Sequence, residues 1–204
     1  MNKVLVTGGV GFIGTNLIKE LIKKGIEVVS IDNYSTGSKH NEVEGVKYLD
    51  HDIEEIFSIK EKNFNLCFHL AAQVDVNVSK VDPYETFETN IKGTYNLLDA
   101  LSRKKTVKSI VVASSDKAYG EYPISQLPYK EHYDLKPIYP YDVSKAAADL
   151  ISKAYSTDIF GTSKEQAIAV VRPGTADELI SLIRLCIQNE VTLSTRGGGA
   201  SYTS

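Results

Sequence analysis

Three glycines, Gly8, Gly11 and Gly14, constrain the fold of this chain more than any other feature of its sequence. They stand in the segment TGGVGFIG, between the apolar run Val4 to Val6 and an amphipathic run that begins at Phe12. Gly8 lets a buried strand end in a tight turn, Gly11 leaves room for a phosphate beside the backbone, and Gly14 lets the next helix pack closely. The pattern predicts a strand, a phosphate-binding turn and a helix whose first amides face an anion.

An acidic residue follows the next predicted strand at the spacing of a dinucleotide site. The apolar run Ile26 to Ile31 ends in Asp32, 18 residues after Gly14. A carboxylate at this place accepts hydrogen bonds from the adenosine ribose hydroxyls. Glycine-rich turns alone are common, so this spacing favours a dinucleotide site over a plain strand-to-helix turn. No basic residue follows Asp32 before Lys39, which favours NAD over NADP.

Strand-like and helix-like segments alternate along the first three quarters of the chain, which predicts an α/β fold. Residues 120–140 hold four of the six prolines and predict a long ordered loop. We expect a Rossmann-type doubly wound parallel sheet over residues 1–155, followed by a separate tail, 156–204. Beyond the first two strands, the predicted strands are 46–49, 64–70 and 107–113, and the predicted helices are 12–24, one long helix from Asp82-Pro83 to about Leu101, and 142–154.

Further cofactor-binding candidates follow the predicted strands, because an open parallel sheet binds ligands at the carboxyl ends of its strands. Ala71 and Ala72 are small and let a cofactor lie against the backbone. Asp52 has two interpretations that the sequence leaves open, an acceptor for the adenine amine or the N-cap of a helix that begins at Ile53. The candidates are Gly8, Gly11, Phe12, Ile13, Gly14, Asp32, Asn33, Asp52, Ile53, Leu70, Ala71 and Ala72.

Tyr141 and Lys145 lie four residues apart on a predicted helix and therefore share one face of it. A nearby ammonium favours tyrosinate over phenol, so it lowers the pKa of the tyrosine and makes the side chain a base. The pattern YxxxK is common, and an exposed aromatic beside a surface lysine is the alternative interpretation. The polar segment Ser114 to Lys117 falls at the end of the fifth predicted strand, where ligands bind.

Six motifs follow one another along the chain and together resemble the extended short-chain dehydrogenase/reductase superfamily: TGGVGFIG, IDNYSTG, HLAAQ, NIKGTYNLL, SSDKAYG and YPYDVSKAAADL. Residues 1 to about 155 are similar to its NAD-dependent nucleotide-sugar epimerases and 4,6-dehydratases. The resemblance implies that Tyr141 deprotonates a sugar hydroxyl while NAD takes the hydride from the same carbon. It also implies that Lys145 holds the nicotinamide ribose, that Ser115 hydrogen-bonds the reacting oxygen, and that Asn90 contacts the cofactor.

The two residues after Ser115 leave the product open. In dehydratases that resemble this chain, an aspartate protonates the departing C6 hydroxyl and a glutamate removes the C5 proton. These places correspond to Asp116 and Lys117. The Asp-Lys pair resembles the CDP-glucose 4,6-dehydratase branch, whereas the DNYSTG loop resembles the 4-epimerases. The resemblance implies a 4,6-dehydratase or a 4-epimerase of a nucleotide-diphosphate sugar. The alternative is a catalytically silent NAD-binding module, because the substrate domain is truncated.

The tail departs from this pattern from about Tyr155 onwards. It resembles the start of the FAD-binding domain of the glycolate oxidase and D-lactate dehydrogenase group. Its pattern predicts a strand at 167–171, a helix at 177–189, a strand at 191–193 and a glycine loop at 196–199. Such a loop can wrap a pyrophosphate, so FAD is a second cofactor to consider. We expect instead a βαβ-like tail that is free of flavin, with 167–171 as a sixth strand of the sheet.

Composition excludes several partners. A formal net charge of -3 argues against a nucleic-acid surface. Cys67 and Cys186 form neither a metal-ligand spacing nor a disulfide framework, so we expect no metal and a reducing compartment. The sequence has no signal-peptide pattern and no apolar stretch of membrane-spanning length, and we therefore expect a cytoplasmic protein without a membrane partner. A homodimer is the assembly that we consider for it.

Overall fold

A parallel six-stranded sheet forms the centre of the computed structural model, which describes residues 3–58, 63–103, 106–156, 184 and 194–195. The strand order is β3-β2-β1-β4-β5-β6. It reverses direction between β1 and β4, the position at which open α/β sheets bind ligands. The predicted Rossmann-type doubly wound sheet is thereby confirmed. The strands are β1 Lys3–Thr7, β2 Glu27–Asp32, β3 Lys47–Asp50, β4 Leu66–His69, β5 Ser109–Ala113 and β6 Ser194–Thr195.

Of the three helices predicted over residues 1–155, two are present and one is divided, and the short helix Val76–Val81 was not predicted. They are α1 Phe12–Lys23, α2 Val76–Val81, α3 Pro83–Phe87, α4 Gly93–Ser102 and α5 Pro140–Ala154. The single long helix expected from Asp82 is wrong, because a π-helical turn, Glu88–Lys92, separates α3 from α4. A π turn holds one residue more than a regular turn, and here its buried residue is Asn90. The short helix α2 is capped by the Asp75 carboxylate, which accepts hydrogen bonds from two of its first amides.

Helices cover both faces of the sheet and bury two separate apolar clusters. The strand β1 shows the division, because Leu5 belongs to one cluster and Val6 to the other. The helix α4 adds Leu97 to the first cluster, and α1 adds Ile18 to the second. Each fully buried side chain of this size contributes about 1.5–3 kcal/mol before entropy is counted. Cys67 is fully buried, as expected for a core residue, and burial raises the pKa of its thiol.

Most of the tail lies outside the described residues, including the predicted strand 167–171, helix 177–189, strand 191–193, Cys186 and the glycine loop 196–199. Two tail residues do enter the sheet, since Ser194–Thr195 pair in parallel with Val112 and Ala113 of β5. In the described part of the chain, every helix is too short or too polar to cross a membrane.

Candidate active site

The glycine turn between β1 and α1 has the geometry that its sequence predicts. Gly8 has a positive φ of 73°, and a Cβ there would lie 2.8 Å from the amide nitrogen of Ala71. A Cβ on Gly14 would overlap the carbonyl oxygen of Gly8, whereas one on Gly11 would meet only that oxygen, at 3.3 Å. The turn is therefore closed on its inner side and open at Gly11. Sequence analysis missed Gly9, whose Cβ would overlap the Ser30 hydroxyl of the neighbouring strand.

The start of α1 is suited to an anion. Its N-cap, Gly11, provides no side-chain hydrogen bond to the first amides of the helix. Phe12 and Ile13 follow with 87% and 63% of their surface exposed, so the approach to those amides is open. Amide groups at a helix N-terminus attract a phosphate through both hydrogen bonding and the helix dipole.

Asp32 lies at the carboxyl end of β2, beside the glycine turn. Its Oδ2 accepts a hydrogen bond from the Val10 amide at 3.0 Å, and its Oδ1 accepts one from the Tyr34 amide at 2.9 Å. The carboxylate therefore ties the glycine turn to the loop after β2. Lys39, the nearest basic residue in the sequence, lies 4.0 Å from Asp50 and over the Tyr34 ring. Among the described residues, no lysine or arginine of β2 or of the glycine turn forms an ion pair with Asp32.

Asp52 caps the helical turn that begins at Ile53, as the second of its two interpretations predicts. Its Oδ1 accepts a hydrogen bond from the Glu54 amide at 2.8 Å, and its Oδ2 accepts one from the exposed Asn33 side chain at 2.9 Å. The side chain of Ile53 is buried in the core against Gly93. Only the backbone of Ile53 is therefore available to an adenine ring.

The loop after β4 lies next to the glycine turn and carries Leu70, Ala71 and Gln73. The amides of Leu70 and Ala71 both donate to the Thr7 hydroxyl at 3.2 Å. The Gln73 side-chain oxygen is buried and lacks a hydrogen-bond partner in the described part of the chain. A buried acceptor of this kind can be satisfied by a hydroxyl of a bound ligand.

Asn90 is buried and hydrogen-bonded within the chain, and the cofactor contact that the resemblance implies for it stays a prediction. Its side chain is 2% exposed and bonds twice to the Gln73 backbone, accepting from the amide at 2.8 Å and donating to the carbonyl at 2.9 Å. The second amide proton goes to the Ser144 hydroxyl at 2.9 Å. Both protons of the Asn90 amide are therefore used within the chain.

The helix α5 carries Tyr141 and Lys145 to the end of β5. Pro140 occupies its first turn, where a missing amide proton has no cost. The Lys145 ammonium donates to the carbonyl of Ala113 at 2.8 Å. Burial lowers the pKa of Lys145 to about 8, although the nearby Asp149 carboxylate acts in the opposite direction.

The pKa of Tyr141 differs from the expectation. We expected Lys145 to lower it, but burial raises the pKa of this tyrosine above its usual value. A hydrogen bond with Ser115 opposes the shift, and the carboxylates of Asp116 and Asp142 add to it. The physical reason is that Tyr141 is only 8% exposed while the Lys145 ammonium is bonded to a backbone carbonyl.

The short helical turn Asp116–Tyr119 follows β5 and faces α5. Ser115 caps the turn, accepting from the Lys117 amide and donating to Asp116 Oδ1, each at 3.2 Å. Sequence analysis missed the contribution of Asp142, which is 6% exposed; burial raises the pKa of its carboxyl and the Lys117 ammonium lowers it. The sequence signal was an acidic residue directly after Tyr141, but acids are common in the first turn of any helix.

The predicted ordered loop between this turn and α5 is held by stacked tyrosines. Tyr129 stacks on Tyr119 with ring centroids 5.0 Å apart, and Tyr122 stacks on Tyr133 at 4.9 Å. A backbone bridge between Gly120 and Lys136 closes the loop at its base. Because Tyr119 belongs to the turn that carries Asp116 and Lys117, the loop supports that turn from one side.

The strand order, the glycine turn and the Tyr-Lys helix define a dinucleotide-binding sheet with a polar cluster at its carboxyl edge. The sequence matches the family described as the NAD dependent epimerase/dehydratase family over residues 4–164. The chain therefore belongs to the NAD-dependent epimerase/dehydratase family.

Solved structures and relatives agree with that assignment. A Thermus thermophilus UDP-glucose 4-epimerase in complex with NAD is 36% identical and superposes with a TM-score of 0.69, over 77% of this chain and 51% of that one. A Streptomyces venezuelae dTDP-glucose 4,6-dehydratase is 28% identical with a TM-score of 0.70, over 76% and 52% of the two chains. A Lactobacillus helveticus UDP-glucose 4-epimerase is 33% identical over 73% of this chain and 46% of its own length. The chain spans about half the length of the curated relatives that it matches.

Proposed function

We propose that the chain binds NAD between β1 and β4 and supplies the redox half of a nucleotide-sugar 4,6-dehydratase or 4-epimerase. The observation that carries this proposal is the convergence of Ser115, Tyr141 and Lys145 at the end of β5, on the same edge of the sheet as the glycine turn. The uncapped start of α1, the open side of Gly11 and the unpartnered Gln73 oxygen support a bound dinucleotide. Bound there, NAD supplies the hydride acceptor for oxidation of the sugar C4 hydroxyl.

In this proposal each residue of the cluster has one task. Tyr141 removes the proton of the C4 hydroxyl, and Ser115 holds the same oxygen by a hydrogen bond. Since burial raises the pKa of Tyr141, the side chain is a phenol in the structure, and a cation must favour its ionisation. Lys145 is that cation, and it also donates to the nicotinamide ribose. The glycine turn holds the pyrophosphate, while Asp32 accepts from the adenosine ribose.

Specificity for NAD follows from the charges around the adenosine site. Asp32 would repel a 2′-phosphate, and Lys39 is held near Asp50 and the Tyr34 ring rather than beside Asp32. We therefore expect at least a tenfold preference for NAD over NADP in calorimetric titration. Equal affinities would remove the role given to Asp32.

The choice between dehydratase and epimerase depends on Asp116. Its Oδ1 accepts a hydrogen bond from Ser115, the residue proposed to hold the reacting oxygen, and this contact supports the proposal that Asp116, in its protonated form, protonates the departing C6 hydroxyl. Similarity to the dehydratase supports a dehydratase activity, and similarity to the epimerases supports an epimerase activity.

A second candidate function is a catalytically silent NAD-binding module, which is supported by the raised pKa of Tyr141 and by the bond of the Lys145 ammonium to the Ala113 carbonyl. Incubation with NAD and with UDP-, CDP- and dTDP-glucose, followed by mass spectrometry, distinguishes the candidates. A 4-keto-6-deoxy sugar identifies a dehydratase, and a C4 epimer identifies an epimerase. NAD binding without either product, matched by the Tyr141→Phe variant, supports the silent module. Absence of NAD binding would overturn both proposals.

A further inference from the structure

A buried hydrogen-bond network connects α5 to the glycine turn through the π turn. Its members are at most 3% exposed: Thr7, His69, Asn90, Thr94 and Ser144. On one side, the Ser144 hydroxyl donates to the Tyr141 carbonyl at 2.7 Å and accepts from Asn90. The Asn90 side chain in turn accepts a hydrogen bond from the Gln73 backbone amide and donates one to the Gln73 backbone carbonyl. Four hydrogen bonds therefore connect the first turn of α5 with the loop after β4.

The other side of the network fixes the tautomer of His69. The Thr94 hydroxyl donates its only proton to the Asn90 carbonyl at 2.6 Å, so it can only accept from His69 Nε2, 3.0 Å away. The proton of His69 is thus on Nε2, and Nδ1 accepts from the Thr7 hydroxyl at 2.8 Å. Every hydroxyl proton and ring nitrogen in this part of the network is used, and the bonds run in one direction from Thr7 to Asn90.

We propose that this network couples the loop that follows β4 to the first turn of α5, and that Ser144 is the positioning residue at the link. Resting on the proposed function, the inference is that Ser144 sets the place of Tyr141 and Lys145 relative to the cofactor-facing loop without touching a ligand. A fully satisfied buried network has one arrangement, because each broken bond leaves a buried polar group without a partner. Asn90 lies in the π turn, and its side chain bonds to both Gln73 and Ser144.

The Ser144→Ala variant tests the coupling. It leaves one Asn90 amide proton without its acceptor, so Asn90 can turn away and release Gln73. We expect the Gln73 amide proton to exchange with solvent about five- to tenfold faster in the cofactor-free variant. If the chain binds NAD, its affinity should fall by about the same factor, and Ser144→Thr, which keeps the hydroxyl, should restore both values.

Ser152→Ala is the matched control. Ser152 also donates to an α5 carbonyl, that of Ala148 at 2.7 Å, but it is not a member of the network. Equal Gln73 exchange rates in the Ser144→Ala and Ser152→Ala variants would overturn the proposal, as would unchanged NAD affinity despite faster exchange. If the unmodified chain does not bind NAD, the proposed function fails, and the exchange measurement alone still decides the coupling.

Discussion

Lys145 and His69 are both buried ionisable residues, and burial drives both towards the neutral form. Desolvation lowers the pKa of Lys145 to about 8 and that of His69 to about 3, with the Lys145 charge adding to the effect on His69. The histidine is therefore neutral at physiological pH, which its network requires. The lysine remains mostly protonated at pH 7.

The titration of Lys145 predicts a pH-dependent stability. Its pKa is about 8 in the folded chain and 10.5 for an ordinary lysine, so between these values the unfolded chain binds more protons and stability rises with pH. The stability of the unmodified chain relative to a Lys145→Met variant should rise by on the order of 3 kcal/mol from pH 7.5 to pH 10.5. Urea unfolding at the two pH values measures this difference. Parallel pH dependence of the two proteins would contradict it.

The tautomer of His69 predicts a spectroscopic result. Because its pKa is lowered, we expect the ring to stay singly protonated on Nε2 down to about pH 4.5. Nitrogen-15 chemical shifts of the ring distinguish this tautomer from the Nδ1 form and from the doubly protonated ring. A proton on Nδ1 at neutral pH would show that the direction of the network is wrong.

At the scale of elements, the sequence predicted most of what depends on local pattern. Apolar runs located the five strands β1–β5 to within a few residues, and the glycine spacing predicted the start of α1 at Phe12. The π turn around Asn90 was not predictable, because its extra residue is held by contacts with Gln73 and Ser144, which are distant in sequence.

The pKa of Tyr141 was predicted in the wrong direction, because periodicity does not reveal how deeply a residue is buried.

The packing of the glycine turn predicts unequal effects of two substitutions. In the Gly14→Ala variant the new methyl group would overlap the Gly8 carbonyl, so the turn must shift and NAD affinity should fall at least tenfold. Gly25→Ala is the control, because Gly25 has a positive φ of 69° but open space around its Cβ. It should cost about 1–2 kcal/mol of stability and leave NAD affinity unchanged. Calorimetric titration and urea unfolding of both variants measure these effects, and equal affinities for NAD would argue against the turn as the phosphate site.

At the scale of the whole molecule, the sheet separates two apolar clusters that do not share side chains. Ile18 of α1 and Leu97 of α4 are both fully buried, on opposite faces of the sheet. Truncating either one removes contacts from only one cluster. The sheet between them is the shared element, and its strands are joined by a continuous ladder of hydrogen bonds.

This arrangement predicts additive destabilisation. Ile18→Ala and Leu97→Ala should each lower the free energy of unfolding by about 2–5 kcal/mol. The double variant should lose the sum to within about 0.5 kcal/mol, because the two side chains belong to separate clusters. Urea unfolding of the single and double variants tests this, with the half-exposed Leu150→Ala as a control that should change stability by less than about 1 kcal/mol. A large coupling energy would mean that the sheet transmits strain between its faces.

The bridge between Gly120 and Lys136 fixes both ends of the segment that lies between them. Tyrosines within it pack on one another, and the Lys136 amide donates to the Tyr119 carbonyl at 3.1 Å beside the bridge. Doubling the length of such a loop costs only about 0.6 kcal/mol of closure entropy. A different sequence can therefore be grafted between these anchors while β5 and α5 keep their places. The sequence of this segment can therefore diverge without redesign of the sheet beneath it.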